Sequence, residues 1–452
     1  MRVHFIAIGG AAMHNLAIAL KIKNYVVTGS DDIINDPSKS RLKFHDLYPD
    51  KLGWDESRIN SDIDAIVLGM HAREDNPELI KAQKLNLEIF SYPEFIFNQS
   101  KFKTRVVIGG SHGKTTITSM ILHVMNYYDK DIDYMVGAQL DGFDVMVKLT
   151  DTNDFIVLEG DEYLSSPIDK RTKFHLYKPN IALLSGIAWD HINVFPTFDI
   201  YKNQFTIFLE TIVEGGSITY NSEDIITKNI VESSNRSIRK FNYSTPNYKI
   251  VKGVTYLQTN EGDLPLEIFG KHNLNNLMGA KWICQHMGVD EDDFFQAITS
   301  FKGASNRLEK IFQYKNTHIF KDFAHSPSKV KATLEAVKNQ FSNHNLIACF
   351  ELHTFSSLNS EFLLQYKNTL EVADRAIVYF SNKTIVSKKL EPLNIEDVRL
   401  SFNNLKLDVF DNPLDLNKYL NSLNYNNSVL LMMSSGNFGN FNFEKLKEII
   451  KL

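Results

Sequence analysis

Residues 105–116 read RVVIGGSHGKTT, and this stretch decides the fold. Its apolar run Val106–Ile108 is typical of a buried strand, and a helix-like pattern follows at 117–127. In such a strand-turn-helix unit, backbone N–H groups of the glycine turn bind phosphate oxygens, a lysine such as Lys114 reaches the terminal phosphates, and a threonine hydroxyl ligates Mg²⁺. The stretch therefore predicts a nucleoside triphosphate site in an α/β fold.

One position departs from the strict phosphate-loop pattern, which requires a glycine five residues before Gly113. Ile108 stands there instead. The alternative interpretation is a glycine turn that caps an ordinary helix. Gly-Lys-Thr between a strand and a helix favours phosphate binding over this alternative.

The composition is that of a globular protein with more than one domain. Of the 452 residues, 43% are hydrophobic and 23% are charged, and this length suggests about three domains. The chain has 49 Lys and Arg against 54 Asp and Glu, a net charge of −5. This balance favours neither a nucleic acid nor an anionic membrane as a partner, so we expect any phosphate site to be local.

The N-terminus and the cysteines indicate a cytoplasmic protein. The first residues, MRVHFIAIGG, run directly into a strand-like segment, without the basic region and apolar core of a signal peptide. The longest apolar stretches are shorter than the roughly 20 residues that a membrane span requires. Cys284 and Cys349 form no CxxC pair, so we expect neither a disulfide framework nor a thiolate metal site.

Strand-like and helix-like patterns alternate in three blocks, which predicts an α/β fold with parallel sheets. The first block ends near residues 99–103. The second contains the phosphate loop and becomes more polar and irregular over 215–265, which favours β-rich insertions. The third begins near 301–305, where FKGAS carries turn-type residues.

Acidic and histidine side chains follow two predicted strands of the second block. The sequence VLEGDEY at 157–163 places Glu159 at the end of one strand, and Asp190 with His191 follows the strand at 181–184. Ligands of parallel sheets bind at these carboxyl ends, and Mg²⁺ prefers oxygen ligands. The alternatives are a solvated acidic turn for the first segment and a surface Asp-His pair for the second.

A weakened dinucleotide-binding pattern lies at the N-terminus. Residues 7–12 read AIGGAA, so that alanines replace the first and third glycines of GxGxxG, while Gly9 and Gly10 remain. Asp31 follows Gly9 by 22 residues, where an acidic group would meet a ribose hydroxyl. The segment is consistent with a nucleotide site or with a tight strand-to-helix turn.

Together these motifs resemble those of the Mur ligase family, over nearly the whole chain. GGSHGKTT is similar to the family's GTHGKTT loop, which accounts for the missing glycine at position 108. The resemblance implies that the loop binds ATP and that Mg²⁺ is held beside it. The loop residues so implied are Gly110, Ser111, His112, Gly113, Lys114, Thr115 and Thr116, and the implied Mg²⁺ ligands are Thr115, Glu159 and His191.

The resemblance continues in the C-terminal half. GKHNLNN at 270–276 is similar to a GxHNxxN stretch whose asparagines contact adenine, and SNRLEK and KDFAHSP contain the arginine and aspartate by which the third domain binds ATP. Ser326 replaces a second histidine that some members have. The implied ATP-binding residues are Asn273, Asn276, Arg307 and Asp322, and the implied catalytic residues are Lys114, Glu159, His191 and His325.

The family fold implies three domains. These are a Rossmann-like N-terminal domain that binds the UDP-sugar at 1–102, a central P-loop ATPase-type domain at 103–304, and a Rossmann-like C-terminal ligase domain at 305–452. The first domain would bind the UDP part of its substrate through Gly9, Gly10 and Asp31, although the turn departs from the pattern at Ala7 and Ala12.

Three segments resemble one branch of the family, which attaches recycled L-alanyl-γ-D-glutamyl-meso-diaminopimelate to UDP-N-acetylmuramate. They are DKRTKF at 169–174, the Glu-Tyr pair at 162–163 and MSSGNFG at 433–439. FELH at 350–353 is instead similar to the FQPH stretch of the alanine-adding branch. The resemblance thus implies an ATP- and Mg²⁺-dependent ligase of peptidoglycan recycling that works through an acyl phosphate, with L-alanine as the alternative acceptor.

Two other classes of protein are compatible with parts of the sequence. An NAD(P)-dependent oxidoreductase built on the first domain would leave GGSHGKTT unexplained. A nucleotide-binding switch protein would not need the substrate-like first domain. An absorbance change with NAD(P)H would support the oxidoreductase, and an amide product would exclude both alternatives.

Overall fold

The computed structural model describes residues 1–140, 142–304, 307–404 and 406–451. It contains two compact units. The first consists of Met1–Ile187, Asp199–Ser244 and Gly279–Phe294, and the second of Ala188–Phe198, Thr245–Met278 and Phe295–Leu452. The division into three domains at 102/103 and 304/305 stays a prediction, and residues 305 and 306 at the second boundary lie outside the described residues.

The first unit begins with a four-stranded parallel sheet, as the βαβ pattern predicts. The strands lie in the order β2-β1-β3-β4. The elements are β1 (Arg2–Ile6), α1 (Ala11–Ile22), β2 (Val26–Ser30), α2 (Ser38–Phe44), β3 (Ala65–Leu68), α3 (Pro77–Lys84), β4 (Glu88–Ser91) and α4 (Tyr92–Ser100). Because β1 is central, the turn after it lies at the carboxyl edge where ligands of such sheets bind.

A second, seven-stranded sheet in the same unit has the order β11-β10-β9-β5-β8-β6-β7 and is parallel except for β7. Its elements are β5 (Thr104–Gly109), α5 (Lys114–Tyr127), β6 (Asp133–Met135), β7 (Val147–Lys148), β8 (Phe155–Glu159), β9 (Ile181–Leu184), α6 (Phe198–Thr211), β10 (Ser217–Asn221), α7 (Ile225–Ser233) and β11 (Arg239–Tyr243). Strand β5, which precedes the phosphate loop, lies between β8 and β9. The expected β-rich insertion thus partly extends the central sheet as β10 and β11.

The second unit contains a three-stranded antiparallel sheet, β12 (Tyr248–Val251), β13 (Val254–Thr259) and β14 (Gly262–Leu266). Helices α8 (Lys271–His286) and α9 (Glu291–Ile298) follow in the chain. This sheet forms the rest of the β-rich insertion that the polar sequence predicts.

A six-stranded sheet in the second unit has the order β15-β16-β20-β17-β18-β19, with β15 antiparallel to the rest. Its elements are β15 (Glu309–Tyr314), β16 (Thr317–Asp322), α10 (Pro327–Gln340), β17 (Asn345–Leu352), α11 (Ser360–Leu363), β18 (Arg375–Phe380), α12 (Asn382–Ser387), α13 (Ile395–Ser401), β19 (Asp408–Phe410), α14 (Pro413–Ser422), β20 (Ser428–Met433) and α15 (Phe443–Lys451). The strands predicted at 318–320, 346–350, 376–380 and 428–433 are all confirmed.

Strand β17 is buried on both faces, which is typical of an interior parallel strand. Phe350 packs in the cluster that contains Leu334 of α10, while Cys349 packs in the cluster that contains Leu416 of α14. Cys349 and Cys284 are both free and fully buried. Among the described helices, none is long and apolar enough to cross a membrane.

Candidate functional site

The loop between β5 and α5 needs its glycines. Gly110 and Gly113 have φ values of +123° and +77°, a region that side-chain-bearing residues rarely adopt. A Cβ on Gly110 would also lie 2.2 Å from Oγ of Ser185. Ile108 stands where the strict pattern has glycine, and it is a fully buried residue of β5. The turn therefore begins after Ile108, whose side chain packs in the core.

Thr115 and Glu159 form a pair of oxygen donors beside this loop. Thr115 lies in the first turn of α5, and its hydroxyl donates a 2.7 Å hydrogen bond to Oε1 of Glu159 at the end of β8. The other carboxylate oxygen accepts a 2.8 Å hydrogen bond from the backbone N–H of Gly137. A hydroxyl and a carboxylate at a helix N-terminus are the hard ligands that Mg²⁺ prefers, so these two residues fit the predicted metal.

Lys114 is the basic residue of the loop. Its Nζ lies 2.7 Å from the carbonyl oxygen of Gly110 and 2.5 Å from Oε2 of Glu162. Burial by itself would lower the pKa of Lys114, but the negative charges of Glu162, Asp161 and Glu159 outweigh it and raise the pKa. Lys114 is therefore a cation at neutral pH, as phosphate binding requires.

The other loop residues are held by the ends of neighbouring elements. The backbone N–H of Ser111 donates to the carbonyl oxygen of Gly186 at 2.9 Å. The hydroxyl of Ser185 donates to the carbonyl oxygen of His112, and Thr116 is a buried residue of α5. The loop is thus fixed against the carboxyl end of β9.

The N-terminal turn is built around Asp31. Its Oδ2 accepts a 2.7 Å hydrogen bond from the backbone N–H of Gly9, and its Oδ1 accepts one of 2.9 Å from the N–H of Asp32. Asp31 is 3% exposed, and burial raises its pKa. Gly10 caps α1. Both oxygens of Asp31 therefore organise the turn itself, and the ribose contact expected for this carboxylate stays a prediction.

In the second unit, Asp190 lies beside His325. Oδ2 of Asp190 is 3.6 Å from Nε2 of His325 and 3.9 Å from Nζ of Lys329. Although burial opposes it, these neighbours hold the pKa of Asp190 well below its usual range. Burial lowers the pKa of His325, whose Nδ1 lies 2.9 Å from the carbonyl oxygen of Phe323. The structure thus brings Asp190 together with a histidine that lies 135 residues away in sequence.

Asp322 ends β16 and fixes the adjoining backbone. Its carboxylate accepts hydrogen bonds of 2.6 Å from the N–H of Leu308 and 2.7 Å from the N–H of Ala324. The guanidinium of Arg307 lies 4.6 Å from the ring centre of Phe323. Asp322 therefore fixes the residue that follows Arg307 and the residue that follows Phe323.

The candidate adenine-binding residues lie in α8. The side-chain amide of Asn273 donates a 3.0 Å hydrogen bond to the carbonyl oxygen of Phe269, and Asn276 is buried. At least one amide hydrogen of Asn273 thus fixes the start of the helix. Its contact with adenine, and that of Asn276, stay predictions.

The structure places Lys114, Thr115 and Glu159 together in the first unit. His191 belongs to the second unit, where its backbone N–H donates a 2.8 Å hydrogen bond to Oδ1 of Asp190, so its place among the Mg²⁺ ligands stays a prediction. Over the described ranges, no three His, Cys, Asp or Glu side chains gather as metal ligands.

Two polar residues of this site are not assigned by the sequence motifs. Glu162 stands in the acidic segment after β8, which could have indicated it, whereas nothing in the sequence singles out Tyr201 of α6. Both take part in hydrogen bonds of the loop.

Comparison with known proteins agrees with this arrangement. Residues 2–103 match the catalytic domain of the Mur ligase family, and residues 108–284 match the Mur ligase middle domain. The chain is 32% identical to a UDP-N-acetylmuramate–L-alanine ligase of Caldicellulosiruptor bescii over 390 residues, which cover 83% of this chain and 82% of that protein.

Solved structures share the fold at low sequence identity. The murein peptide ligase of Psychrobacter arcticus is 21% identical, with a TM-score of 0.68 and coverage of 100% of this chain and 99% of that one. A UDP-N-acetylmuramate-alanine ligase of Thermotoga maritima is 19% identical, with a TM-score of 0.70 and coverage of 100% and 98%. The chain therefore belongs to the Mur ligase family, whose members are ATP-dependent ligases that form amide bonds in peptidoglycan synthesis.

Proposed function

We propose that this ligase joins the carboxylate of UDP-N-acetylmuramate to the amine of L-alanyl-γ-D-glutamyl-meso-diaminopimelate, in the peptidoglycan recycling of the cytoplasm. The observation that carries the ligase chemistry is the glycine loop with Lys114 and the Thr115–Glu159 pair at its helix N-terminus. The segments at 169–174 and 433–439, which resemble the tripeptide-adding branch, support the choice of acceptor.

In the proposed reaction the lactoyl carboxylate attacks the γ-phosphate of ATP, and ADP leaves. The acceptor amine then attacks the acyl phosphate, loses a proton and displaces inorganic phosphate. Lys114 and the backbone N–H groups at the start of α5 would bind the phosphate oxygens and stabilise the charge that develops on them. A bound Mg²⁺, held by Thr115 and Glu159, would neutralise part of the same charge.

The remaining roles are carried over from the family resemblance. Asn273 and Asn276 would contact adenine, and Arg307 with Asp322 would bind ATP from the C-terminal part of the chain. His191 would complete the Mg²⁺ ligands, and Gly9, Gly10 and Asp31 would bind the UDP-sugar. His325 would be a catalytic residue beside the reacting groups. Asp190 and the carbonyl oxygen of Phe323 would hold its ring.

The second candidate is the ligase that adds L-alanine to UDP-N-acetylmuramate in de novo synthesis. It is favoured by the Caldicellulosiruptor bescii relative, which bears that name and is 32% identical. The segment FELH at 350–353, which resembles the alanine-adding branch, points the same way.

One experiment separates the two candidates. Purified protein is supplied with ATP, Mg²⁺ and UDP-N-acetylmuramate, and L-alanine or the tripeptide is added separately while phosphate release and product mass are followed. We expect the product of the tripeptide, with a kcat/KM at least about tenfold above that for L-alanine, which is about 1.4 kcal/mol in the transition state. A preference for L-alanine would establish the second candidate, and no amide with either acceptor would contradict both.

A further inference from the structure

A buried hydrogen-bond network holds the polar side chains of the phosphate loop. Oε2 of Glu162 lies 2.5 Å from Nζ of Lys114, and its Oε1 accepts a 2.9 Å hydrogen bond from the hydroxyl of Tyr201. The Tyr201 hydroxyl is 2.7 Å from Oγ of Ser111. We call these four residues the Glu162 network.

The hydrogen bonds of the network all lead to the carboxylate of Glu162. Tyr201 has a single hydroxyl hydrogen, and it donates this hydrogen to Glu162. The hydrogen between Ser111 and Tyr201 must therefore come from Ser111. The hydroxyl of Ser111 and the ammonium of Lys114, two polar groups that the loop could offer to a phosphate, are thus connected to one carboxylate.

This carboxylate is deeply buried. Glu162 is 1% exposed and Tyr201 is fully buried. A buried carboxylate is stable only if it is paired and hydrogen-bonded, and Lys114 is its cationic partner in the network. A triphosphate that draws Lys114 towards its own oxygens must weaken this pair, and Tyr201 would then be a remaining donor to Glu162.

We propose that Glu162 competes with the triphosphate of ATP for Lys114, and that Tyr201 is a positioning residue that stabilises the Glu162 carboxylate when Lys114 turns to the nucleotide. The inference rests on the proposed ATP site at residues 109–116. Glu162 thus lowers the affinity for ATP.

The competition predicts opposite effects of two small substitutions. Glu162→Gln keeps the shape of the side chain but removes the competing charge, so the Kd of Mg²⁺-ATP should fall about tenfold, or about 1.4 kcal/mol. Its kcat should change less than about threefold, because Lys114 binds the phosphates in both proteins once ATP is bound. Tyr201→Phe removes a donor to the carboxylate, so the Kd of Mg²⁺-ATP should rise about threefold to tenfold.

The measurements are calorimetric titrations with Mg²⁺-ATP and steady-state kinetics on the full chain. Glu214→Gln is the matched control, because it makes the same substitution at an exposed acid in the turn after α6, outside the network, and it should change the Kd less than about twofold. Circular dichroism establishes that each variant is folded. If Glu162→Gln fails to fold, a Kd of Tyr201→Phe that stays unchanged or falls still overturns the inference.

The inference and the proposed ATP site can fail separately. If Lys114→Met binds Mg²⁺-ATP as tightly as the wild type, the ATP site itself is wrongly assigned. If Lys114→Met loses binding but Glu162→Gln weakens ATP binding or leaves it unchanged, the competition is wrong. Weaker binding in both Glu162→Gln and Tyr201→Phe would indicate a purely structural network and would also overturn the inference.

Discussion

The hydroxyl of Thr115 donates a 2.7 Å hydrogen bond to Oε1 of Glu159, and this contact joins the N-terminus of α5 to the carboxyl end of β8. The two residues are 44 positions apart, yet they are adjacent because β8 pairs with β5 in parallel. The pair sets a hydroxyl and a carboxylate at the end of a glycine loop, and it is the basis for the first prediction.

Glu159→Ala should raise the Mg²⁺ concentration needed for half-maximal ATP-dependent turnover by about tenfold or more, because the metal would lose its only carboxylate among the proposed ligands. The measurement is phosphate release as a function of Mg²⁺ at saturating ATP. Glu210→Ala, which removes an exposed glutamate at the end of α6, is the control and should leave the titration unchanged. An unaltered titration for Glu159→Ala would exclude the ligand role.

Lys114→Ala should reduce amide formation by at least about 100-fold, because the phosphates lose a positioned charge. The variant should still show the far-ultraviolet circular dichroism of the wild type. Its thermal midpoint should be lower, because Glu162 would be buried without its cationic partner. Lys383→Ala, at an exposed lysine in the first turn of α12, serves as the control. Near wild-type turnover in Lys114→Ala would contradict the role of Lys114 in binding the phosphates.

Gly9→Ala should raise the KM for UDP-N-acetylmuramate by about tenfold while the KM for ATP stays constant. The added Cβ would lie 2.9 Å from Oδ2 of Asp31 and 3.0 Å from Cγ1 of Ile34, so the turn after β1 must shift. A shift of this kind misplaces the backbone groups that would bind the diphosphate. Steady-state kinetics with each substrate varied in turn provide the check, and equal changes in both constants would argue against a UDP site here.

Phe174→Ala should lower the free energy of unfolding by about 3–5 kcal/mol, the usual range for removing a buried aromatic ring. Phe174 is fully buried and stacks on Phe208 with ring centres 4.6 Å apart. Guanidinium unfolding at 25 °C measures the change. Phe102→Ala is the matched control, since Phe102 is 93% exposed, and its effect should stay within about 0.5 kcal/mol. Equal losses in the two variants would contradict the packing role.

Much of the α/β architecture follows from the sequence because its signals are local. The apolar run before Gly109, the glycine turn and the helix-like run after it define β5 and α5 without any distant contact. The antiparallel strand β15 was not predicted, because its alternating residues are only partly buried and give a weak pattern. The polar stretch at 215–265 does form strands, but its pattern did not show that β10 and β11 join the central sheet, where β11 is the exposed edge strand.

The candidate site, like the fold, was predicted only in part from the sequence. The glycine loop itself indicates phosphate binding by Lys114, and the acidic residue at the end of the next predicted strand indicates a metal ligand. The pairing of these side chains could not be predicted, because the partners come from remote segments, even where the partner itself stands in a noticeable acidic segment, as Glu162 does. Glu162 approaches Lys114 across 48 residues, and Tyr201 approaches Ser111 across 90.

Residue types at fixed spacing were enough to identify the phosphate loop, its place between a strand and a helix, and the resemblance to the Mur ligases. Only the tertiary structure decided which groups the functional side chains contact. Asp31 binds the backbone N–H of Gly9 in the turn after β1, and Asp322 binds those of Leu308 and Ala324. Glu162 holds Lys114 and, through Tyr201, Ser111. The physical reason is that a buried carboxylate takes whichever donors the packed chain brings within reach, and sequence spacing does not specify them.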